Sequence, residues 1–339
     1  MIVVSNIEGI KYVEFTAKAS GFGVVNHNGN FDPDQSPNRS KEGGKNSDYE
    51  NMVFPKKRGG QLYISNNCLR AHLFQDDARG FSQMERLGHA KNLEDKVNNA
   101  ITLTKPELSQ RLGVSFLGLL RGYMLTEKGG EAIARETPLI LSDFVNSTQN
   151  VNKQEVGINH LARDESGKAS NSFYLSETWG DTEYDGKGAI SIQKLQFISL
   201  DNRFGRCAIS LSTDVNIPKE DEVKNLIDEL LNNLVTIGEQ HDIDGKGAKV
   251  EYGIFQKKGA LFKCPEVGLL LNDIAIDILV AEMMERISSL EIIKGKGYMS
   301  VNELNVRFNE NDRFLVNEPS GREERSSGYA QYYEKVEDL

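Results

Sequence analysis

The chain has 339 residues, of which 38% are apolar and 27% are charged, with 31 glycines. This length suits one elaborated domain or two ordinary domains, and the apolar content argues against wholesale disorder. The three cysteines are widely spaced and odd in number, which argues against a disulfide framework and favours a reduced, cytoplasmic location. No signal peptide or membrane span is expected, because the start lacks a basic segment and no apolar run reaches about 18 residues.

The net charge of −10 by itself argues against a nucleic-acid partner. The charge is uneven along the chain, however. Acidic residues are concentrated in residues 218–229 and 309–339, whereas residues 39–121 hold fourteen Lys and Arg against nine Asp and Glu. This local excess of Lys and Arg is compatible with a positive surface on a protein whose net charge is negative.

The first eighty residues predict a strand, a loop and a short strand–helix unit. Residues 7–20 alternate between apolar and polar side chains, which is typical of a half-buried strand. Residues 28–60 are rich in Asn, Gly, Asp, Ser and Pro and predict a long polar loop. A short strand at 61–64 is followed by Ser65, which can cap a helix carrying Leu69, Leu73 and Phe74 at helical spacing.

The middle of the chain predicts two insertions. A helix is expected at 106–125 and a short apolar segment at 138–145, so residues 80–149 are interpreted as a mostly helical insertion. Residues 150–188 are polar and end in the turn-rich string GDTEYDGKG, which favours a protruding β-hairpin.

Strand and helix signals return in the last part of the chain. An antiparallel strand pair is predicted at 189–200 and 206–212, and a polar tail that frays is predicted from Asn317. Between them the expected elements are an amphipathic helix at 219–237, a hairpin at 250–262, a helix from the cap Asn272 to about residue 290, and a strand at 298–308. The whole pattern predicts an α+β fold with a ferredoxin-like sheet that carries long insertions.

The motifs of the commoner catalytic and metal sites are absent from the sequence. Cys68 and His72 favour a packed thiol beside a surface imidazole over a metal site. Acidic residues at 240–251 and 181–192 only partly match a calcium loop and favour solvated turns, so no metal is expected. Asp32 and Asp34 leave a metal-dependent nuclease open, although Asp in such a loop more often forms turns.

The remaining features suit binding to a phosphate backbone. The Lys294-Gly295-Lys296-Gly297 loop joins two cations to small residues and exposed amides, which lets phosphates approach the main chain. Arg70 and Arg121 lie on predicted helices that otherwise carry core residues. The alternative interpretation of each arginine is snorkelling or a salt bridge.

Six strings of the sequence, in order along the chain, carry a family resemblance. They are LYISNNCLRAHLF (62–74), LGLLRGYM (117–124), TPLILSDFV (137–145), WGDTEYDGKGAISIQKLQFISLD (179–201), GLLLNDIAIDILVAEMMERI (268–287) and KGKGYMSV (294–301). Together they resemble the backbone subunit of the minimal variant type I-F CRISPR Cascade, in the repeat-associated superfamily.

The resemblance implies a hand-shaped protein without catalytic residues or cofactors. Its parts would be an RRM-like palm (1–79 and 189–310), helical fingers (80–149), a β-hairpin thumb (150–188) and a polar C-terminal tail (311–339). Copies would form a helical filament along the spacer part of CRISPR RNA (crRNA), beside other Cascade subunits, and leave the guide free to pair with target DNA.

The resemblance also implies the RNA-binding residues. These are expected to be Asn26, Lys56, Lys57, Arg58, Ser65, Asn67, Arg70, His72, Arg121, Trp179, Lys294, Gly295, Lys296 and Gly297, with Trp179 as a stacking or wedge residue. Two alternatives stay open. One is a metal-dependent endoribonuclease of the same superfamily that uses Asp32 or Asp34, and the other is a calcium-responsive interaction protein built on residues 240–251.

Overall fold

An eight-stranded antiparallel sheet forms the centre of the computed structural model. The structure describes residues 7–26, 55–75, 104–126, 132–147, 153–159, 172–178, 180–204, 207–211, 218, 220–260, 264–294, 297–314 and 323–337. The strands are β1 (Tyr12–Gly23), β2 (Lys57–Arg58), β3 (Gln61–Ile64), β4 (Tyr123–Leu125), β5 (Ile133–Arg135), β6 (Leu139–Leu141), β7 (Phe144–Asn146), β8 (Lys153–Asn159), β9 (Ser172–Thr178), β10 (Asp181–Ser191), β11 (Phe197–Ser199), β12 (Val250–Lys257), β13 (Glu266–Leu271), β14 (Glu291–Lys294), β15 (Gly297–Asn309) and β16 (Tyr333–Val336). The helices are α1 (Asn66–Leu73), α2 (Lys105–Gly113), α3 (Phe116–Arg121), α4 (Ile192–Gln196), α5 (Glu220–Gln240) and α6 (Asp273–Ser288).

The central sheet has the strand order β14-β15-β1-β10-β7-β3-β2, with β6 also paired to β10. The alternation predicted for β1 is confirmed, since Val13, Phe15 and Ala17 are buried while Lys18 and Ser20 are exposed. Side chains opposite each other on neighbouring antiparallel strands point to the same face. The sheet therefore has one face in the core and one open face, which in β1 carries Lys18 and Ser20.

The solvated turn expected at 181–192 is wrong, because residues 181–191 form β10 of the central sheet. Two glycines explain the misleading composition. A Cβ atom on Gly186 would lie 2.0 Å from the Phe144 ring, and one on Gly188 would lie 2.4 Å from the Phe15 ring. The glycines thus make room for core aromatic rings rather than for a turn.

Helices cover the core face of the sheet. Helix α6 packs on β1, β15 and α5, and its predicted cap is confirmed because the Asn272 Oδ1 accepts a hydrogen bond from the Ala275 amide at 3.0 Å. Helix α5 buries the apolar stripe that its sequence predicts: Val223, Leu226, Leu230 and Leu234. Within the described ranges, no helix has both the length and the apolar character needed to cross a membrane.

The segment 80–149, interpreted as a mostly helical insertion, contains both helices and strands in its described part. The helix expected at 106–125 is interrupted near Val114, and Ser115 starts α3 by accepting a hydrogen bond from the Gly118 amide at 3.1 Å. Residues 139–146 form β6 and β7 of the central sheet. The expected hairpin within 150–188 is present as β8 and β9, which pair with each other in a separate two-stranded sheet.

A second sheet has the order β11-β13-β12-β16 and corrects two predictions. Strand β13 pairs with β12 in this sheet, and residues 261–262 of the expected hairpin lie outside the described residues. Helix α4 interrupts the strand expected at 189–200, and residues 207–211 contain no strand, since the amides of Ala208 and Ile209 both donate to the Ser199 carbonyl.

Residues 323–337 are ordered, although a fraying tail was predicted there. Residues 323–337 lie against the body of the protein, with β16 paired to β12. The Tyr329 hydroxyl donates to Asp277 at 2.8 Å, and Ala330 and Tyr332 are buried. The polar composition concealed three apolar residues that complete the core.

Candidate nucleic-acid interface

Helix α1 begins directly after β3, and a carboxylate holds its first turn. Ser65 is the N-cap residue, but its side chain accepts no hydrogen bond from the helix, contrary to the prediction. Instead the Asn66 amide donates to Asp143 Oδ1 at 2.9 Å, where the negative charge also suits the helix dipole. The other oxygen of Asp143 pairs with Arg58 at 2.9 Å, so Arg58 is tied to the start of α1.

Arg70 projects from α1 and is only partly exposed. Its Nη2 donates to the Leu139 carbonyl at 2.7 Å, and its Nη1 donates to the Thr137 hydroxyl at 3.4 Å. The buried Nε has no hydrogen-bond partner among the described residues. Burial, followed by repulsion from Arg121, lowers the pKa of Arg70. These contacts replace the salt bridge that was the alternative interpretation of this residue.

Arg121 brings a second guanidinium toward Arg70 from a separate helix. It is the last residue of α3 and is exposed. The chain turns away immediately, because Gly122 adopts φ 73°, a conformation that favours glycine. Among the residues that the structure describes, no carboxylate forms an ion pair with Arg70 or Arg121. The positive charge of the pair is therefore not neutralised by this part of the protein.

The charges of two lysines act on Cys68 of α1. Burial raises the pKa of the Cys68 thiol, while the positive charges of Lys294 and Lys56 act on it in the opposite direction. Lys56 precedes β2, and Lys294 ends β14. We call Lys56, Arg70, Arg121 and Lys294 the cationic cluster. Arg70 thus lies on α1, and the charges of three cations from other segments of the chain reach residues of this helix.

The other predicted contact residues divide into exposed and structural positions. Asn67 is exposed on the first turn of α1. The His72 Nδ1 lies 2.8 Å from the Cys68 carbonyl, and because a carbonyl only accepts, Nδ1 carries the proton. Asn26 is buried and donates to the Tyr63 carbonyl at 3.2 Å, so it joins the end of β1 to β3. Lys57 pairs with Leu62 in the β2–β3 hairpin.

Gly297 is needed for backbone packing. A Cβ atom there would lie 2.5 Å from the Val24 amide nitrogen and 2.6 Å from the Phe22 carbonyl oxygen. The β14–β15 hairpin can therefore approach β1 closely only with glycine at this position. Five residues named from the sequence lie outside the described residues: Asp32, Asp34, Trp179, Gly295 and Lys296.

The open face of the central sheet is a poorer candidate for binding a polyanion. Asp181, Glu183 and Asp185 lie at alternate positions of β10, opposite Phe22, Ser20 and Lys18 of β1. Lys18 also pairs with Glu303 at 3.5 Å. The acidic residues of β10 and β15 outweigh the lysines of this face, which leaves α1 as the better candidate.

Two of the acidic residues at 240–251, which only partly match a calcium loop, have partners within the chain. Asp244 accepts a hydrogen bond from the Lys246 amide at 3.1 Å, and Glu251 pairs with Lys335 at 2.8 Å. Asp181, Glu183 and Asp185 lie in β10 rather than in the solvated turn that was expected. In the described parts of the chain, no three His, Cys, Asp or Glu side chains gather in a way that could hold a metal.

An exposed aromatic pair was missed by the sequence analysis. Phe22 and Tyr298 are opposite each other on β1 and β15, with ring centroids 5.4 Å apart. They are 48% and 47% exposed. The alternation of side chains along β1 could have revealed the exposed position of Phe22. This residue falls on the face that otherwise carries Thr16, Lys18 and Ser20.

Comparison with known proteins identifies the family. The model of a family described as type I-Fv CRISPR-associated protein Cas7fv-like matches residues 58–336. No curated protein matches the chain. A solved chain titled "CRISPR RNA-guided surveillance complex, pre-nicking" aligns at 9% identity over 66% of this chain and 68% of that chain, with a TM-score of 0.30, which is too weak to carry an argument. The family match covers all six strings on which the resemblance rested, and it shows that the chain belongs to the type I-Fv CRISPR-associated Cas7fv-like family.

Proposed function

We propose that this protein is a non-catalytic subunit that binds the phosphate backbone of CRISPR RNA. The observation that carries the proposal is that Arg70 of α1 and the end of α3 meet at Thr137. The Thr137 hydroxyl lies 3.4 Å from the Arg70 Nη1 and 3.1 Å from the carbonyl of Leu120, the residue before Arg121. Among the described residues, neither arginine has a carboxylate partner. Cations brought together in this way repel each other and cost stability unless an anion binds between them. A phosphate group supplies that anion.

The binding is independent of RNA sequence. The cationic cluster consists of two guanidinium groups and two ammonium groups, which suit phosphate oxygens better than they distinguish four bases. Sequence would be read by pairing between the guide and target DNA, as in other RNA-guided complexes. In this proposal the central sheet serves as an RRM-like palm, and the β8–β9 hairpin serves as the thumb that sets the spacing between copies along the RNA.

The experiment that tests the proposal is isolation of the protein from cells that express a CRISPR array. We expect RNA of defined length to co-purify and to raise the ratio of absorbance at 260 nm and 280 nm well above that of protein alone. The double variant Arg70→Gln with Arg121→Gln should elute with little RNA. Nucleic acid of heterogeneous length, retained equally by the double variant, would contradict the proposal.

A cleavage assay distinguishes this proposal from the endoribonuclease alternative. Labelled RNA should stay intact when the protein is incubated with it and Mg²⁺ or Mn²⁺. Cleavage that is lost in Asp32→Ala or Asp34→Ala would replace the non-catalytic proposal by the nuclease.

A further inference from the structure

Residues 135–137, which lead from β5 toward β6, cap the end of helix α3. A helix leaves its last four carbonyls without partners inside it, and α3 has only six residues. The Leu119 carbonyl accepts a hydrogen bond from the Nε of the buried Arg135 at 3.4 Å. The Leu120 carbonyl accepts one from the Thr137 hydroxyl at 3.1 Å. Two side chains of this segment thus hold the last turn of α3.

The same segment packs directly against the residue that follows Arg121. A Cβ atom on Gly122 would lie 2.6 Å from the Arg135 carbonyl oxygen and 2.8 Å from the Thr137 amide nitrogen. Strands β4 and β5 also pair at Tyr123 and Arg135. The backbone at Arg121 is therefore held both from the side of α3 and from the side of β4.

Thr137 connects this support to Arg70. The Arg70 Nη1 donates to the Thr137 hydroxyl, which also lies within hydrogen-bond distance of the Leu120 and Leu139 carbonyls. A hydroxyl has one proton to donate and can accept at the same time. The Leu139 carbonyl already accepts from the Arg70 Nη2 at 2.7 Å, so we assign the Thr137 proton to the Leu120 carbonyl. One hydroxyl therefore accepts from Arg70 and donates to the helix turn that carries the other arginine.

A neutral hydroxyl suits this position better than a charged group. A carboxylate in its place would also hold the Arg70 guanidinium, but it would neutralise the charge that attracts a phosphate. The carboxylate of this segment, Glu136, pairs instead with Lys194 at 3.0 Å. The Thr137 hydroxyl thus holds the two helices and leaves their positive charge available to an anion.

We propose that Thr137 is a positioning residue, which holds Arg70 and Arg121 in the arrangement that binds the RNA backbone. This inference rests on the proposed function and adds to it a residue that acts through the two arginines. When both guanidinium groups are held before the phosphate arrives, less side-chain entropy is lost on binding. Loss of the hydroxyl should therefore weaken RNA binding although both arginines remain.

The test compares full-length variants at Thr137 under conditions in which thermal melting shows each variant to be folded. Thr137→Val keeps the size of the side chain but removes the hydroxyl, and it should weaken binding of single-stranded RNA about tenfold. Thr137→Ala makes the same comparison if the valine variant does not fold. Thr137→Ser keeps the hydroxyl and should bind as wild type does. Thr236→Val is the matched control, because it removes a hydroxyl that donates to the Asn232 carbonyl on α5, and it should leave binding unchanged.

A double-mutant cycle distinguishes positioning from a general loss of stability. If Thr137 acts through the arginines, Arg121→Gln should reduce affinity less in the Thr137→Val background than in the wild-type protein. A merely structural role predicts equal losses in the two backgrounds. Wild-type affinity in Thr137→Val, weak binding in Thr137→Ser, or equal losses in the cycle would each overturn the inference.

These outcomes leave the proposed function standing, because the variants of Arg70 and Arg121 would still bind RNA weakly. A folded wild-type protein that binds no RNA would remove both the proposed function and the role of Thr137.

Discussion

The Arg70 guanidinium donates to the Leu139 carbonyl oxygen at 2.7 Å, across 69 residues of sequence. This bond ties α1 to the strand β6 of the central sheet. It also fixes the planar guanidinium so that its repulsion with Arg121 is built into the folded protein. Arg70 therefore has a structural role and a proposed binding role, and the two make separate predictions.

Arg70→Gln is expected to weaken both stability and RNA binding. Loss of the charge-assisted bond to the Leu139 carbonyl should lower the free energy of unfolding by about 1–2 kcal/mol, because the carbonyl loses its partner. The slope of log K against log salt for single-stranded RNA should flatten by about 0.7. Urea unfolding and RNA titrations at several salt concentrations measure the two effects. A change in stability with an unaltered slope would make Arg70 purely structural.

Arg121→Gln is the cleaner test of phosphate binding, because Arg121 is exposed. The free energy of unfolding should change by less than about 0.5 kcal/mol, while the salt slope should flatten by about 0.7. The effect should be the same for unrelated RNA sequences. Arg313→Gln is the matched control, since Arg313 is also exposed and follows the end of β15 remote from Gly297. Equal slopes for the two variants would exclude Arg121 from the interface.

The boundary of the hairpin can be tested by two deletions. Replacing residues 150–178 with a short Gly/Ser linker should leave a folded protein that no longer assembles in order on RNA, because β8 and β9 form their own sheet. Replacing residues 150–188 should unfold it, because most of β10, which pairs with β1, β6 and β7, is removed. Circular dichroism and thermal melting distinguish the two. A cooperative loss of fold in the shorter deletion would show that β8 and β9 belong to the core.

Stability is expected to fall at alkaline pH. Burial, followed by the charge of Glu266, raises the pKa of Tyr333 to about 12. In the unfolded chain tyrosine ionises near pH 10. The stability that the folded protein gains by keeping Tyr333 protonated is therefore complete below about pH 10, and it is lost as the pH rises toward 12. The full shift in the pKa of Tyr333 corresponds to at most about 3 kcal/mol in the free energy of unfolding. Urea unfolding between about pH 9 and pH 11 should show the decline, and Tyr333→Phe should reduce it. If Tyr333→Phe showed the same decline, the loss of stability at alkaline pH would belong to other groups.

Periodicity predicted the long elements of this fold well. The alternation in β1, the stripe in α5 and the Asn272 cap of α6 are local signals that tertiary packing reinforces. Composition was misleading where packing set the role of a residue. Gly186 and Gly188 look like turn residues in the sequence, but they accommodate the rings of two core phenylalanines.

The candidate site was predictable in part. Arg70 and Arg121 could be selected as unusual cations on apolar helices, but their convergence depends on how α1 and α3 pack. Local sequence does not encode that geometry. The exposed pair of Phe22 and Tyr298 was missed for a related reason, since the two rings become neighbours only through strand pairing between distant segments.

The central claim is that copies of this chain assemble along RNA through sequence-independent backbone contacts. Native mass spectrometry of the protein mixed with RNAs of increasing length tests it most directly. We expect the number of bound subunits to rise by one for each fixed increment of RNA length, for unrelated sequences alike, with the RNA intact. A single bound copy at every length, or shortened RNA in the complex, would contradict the account.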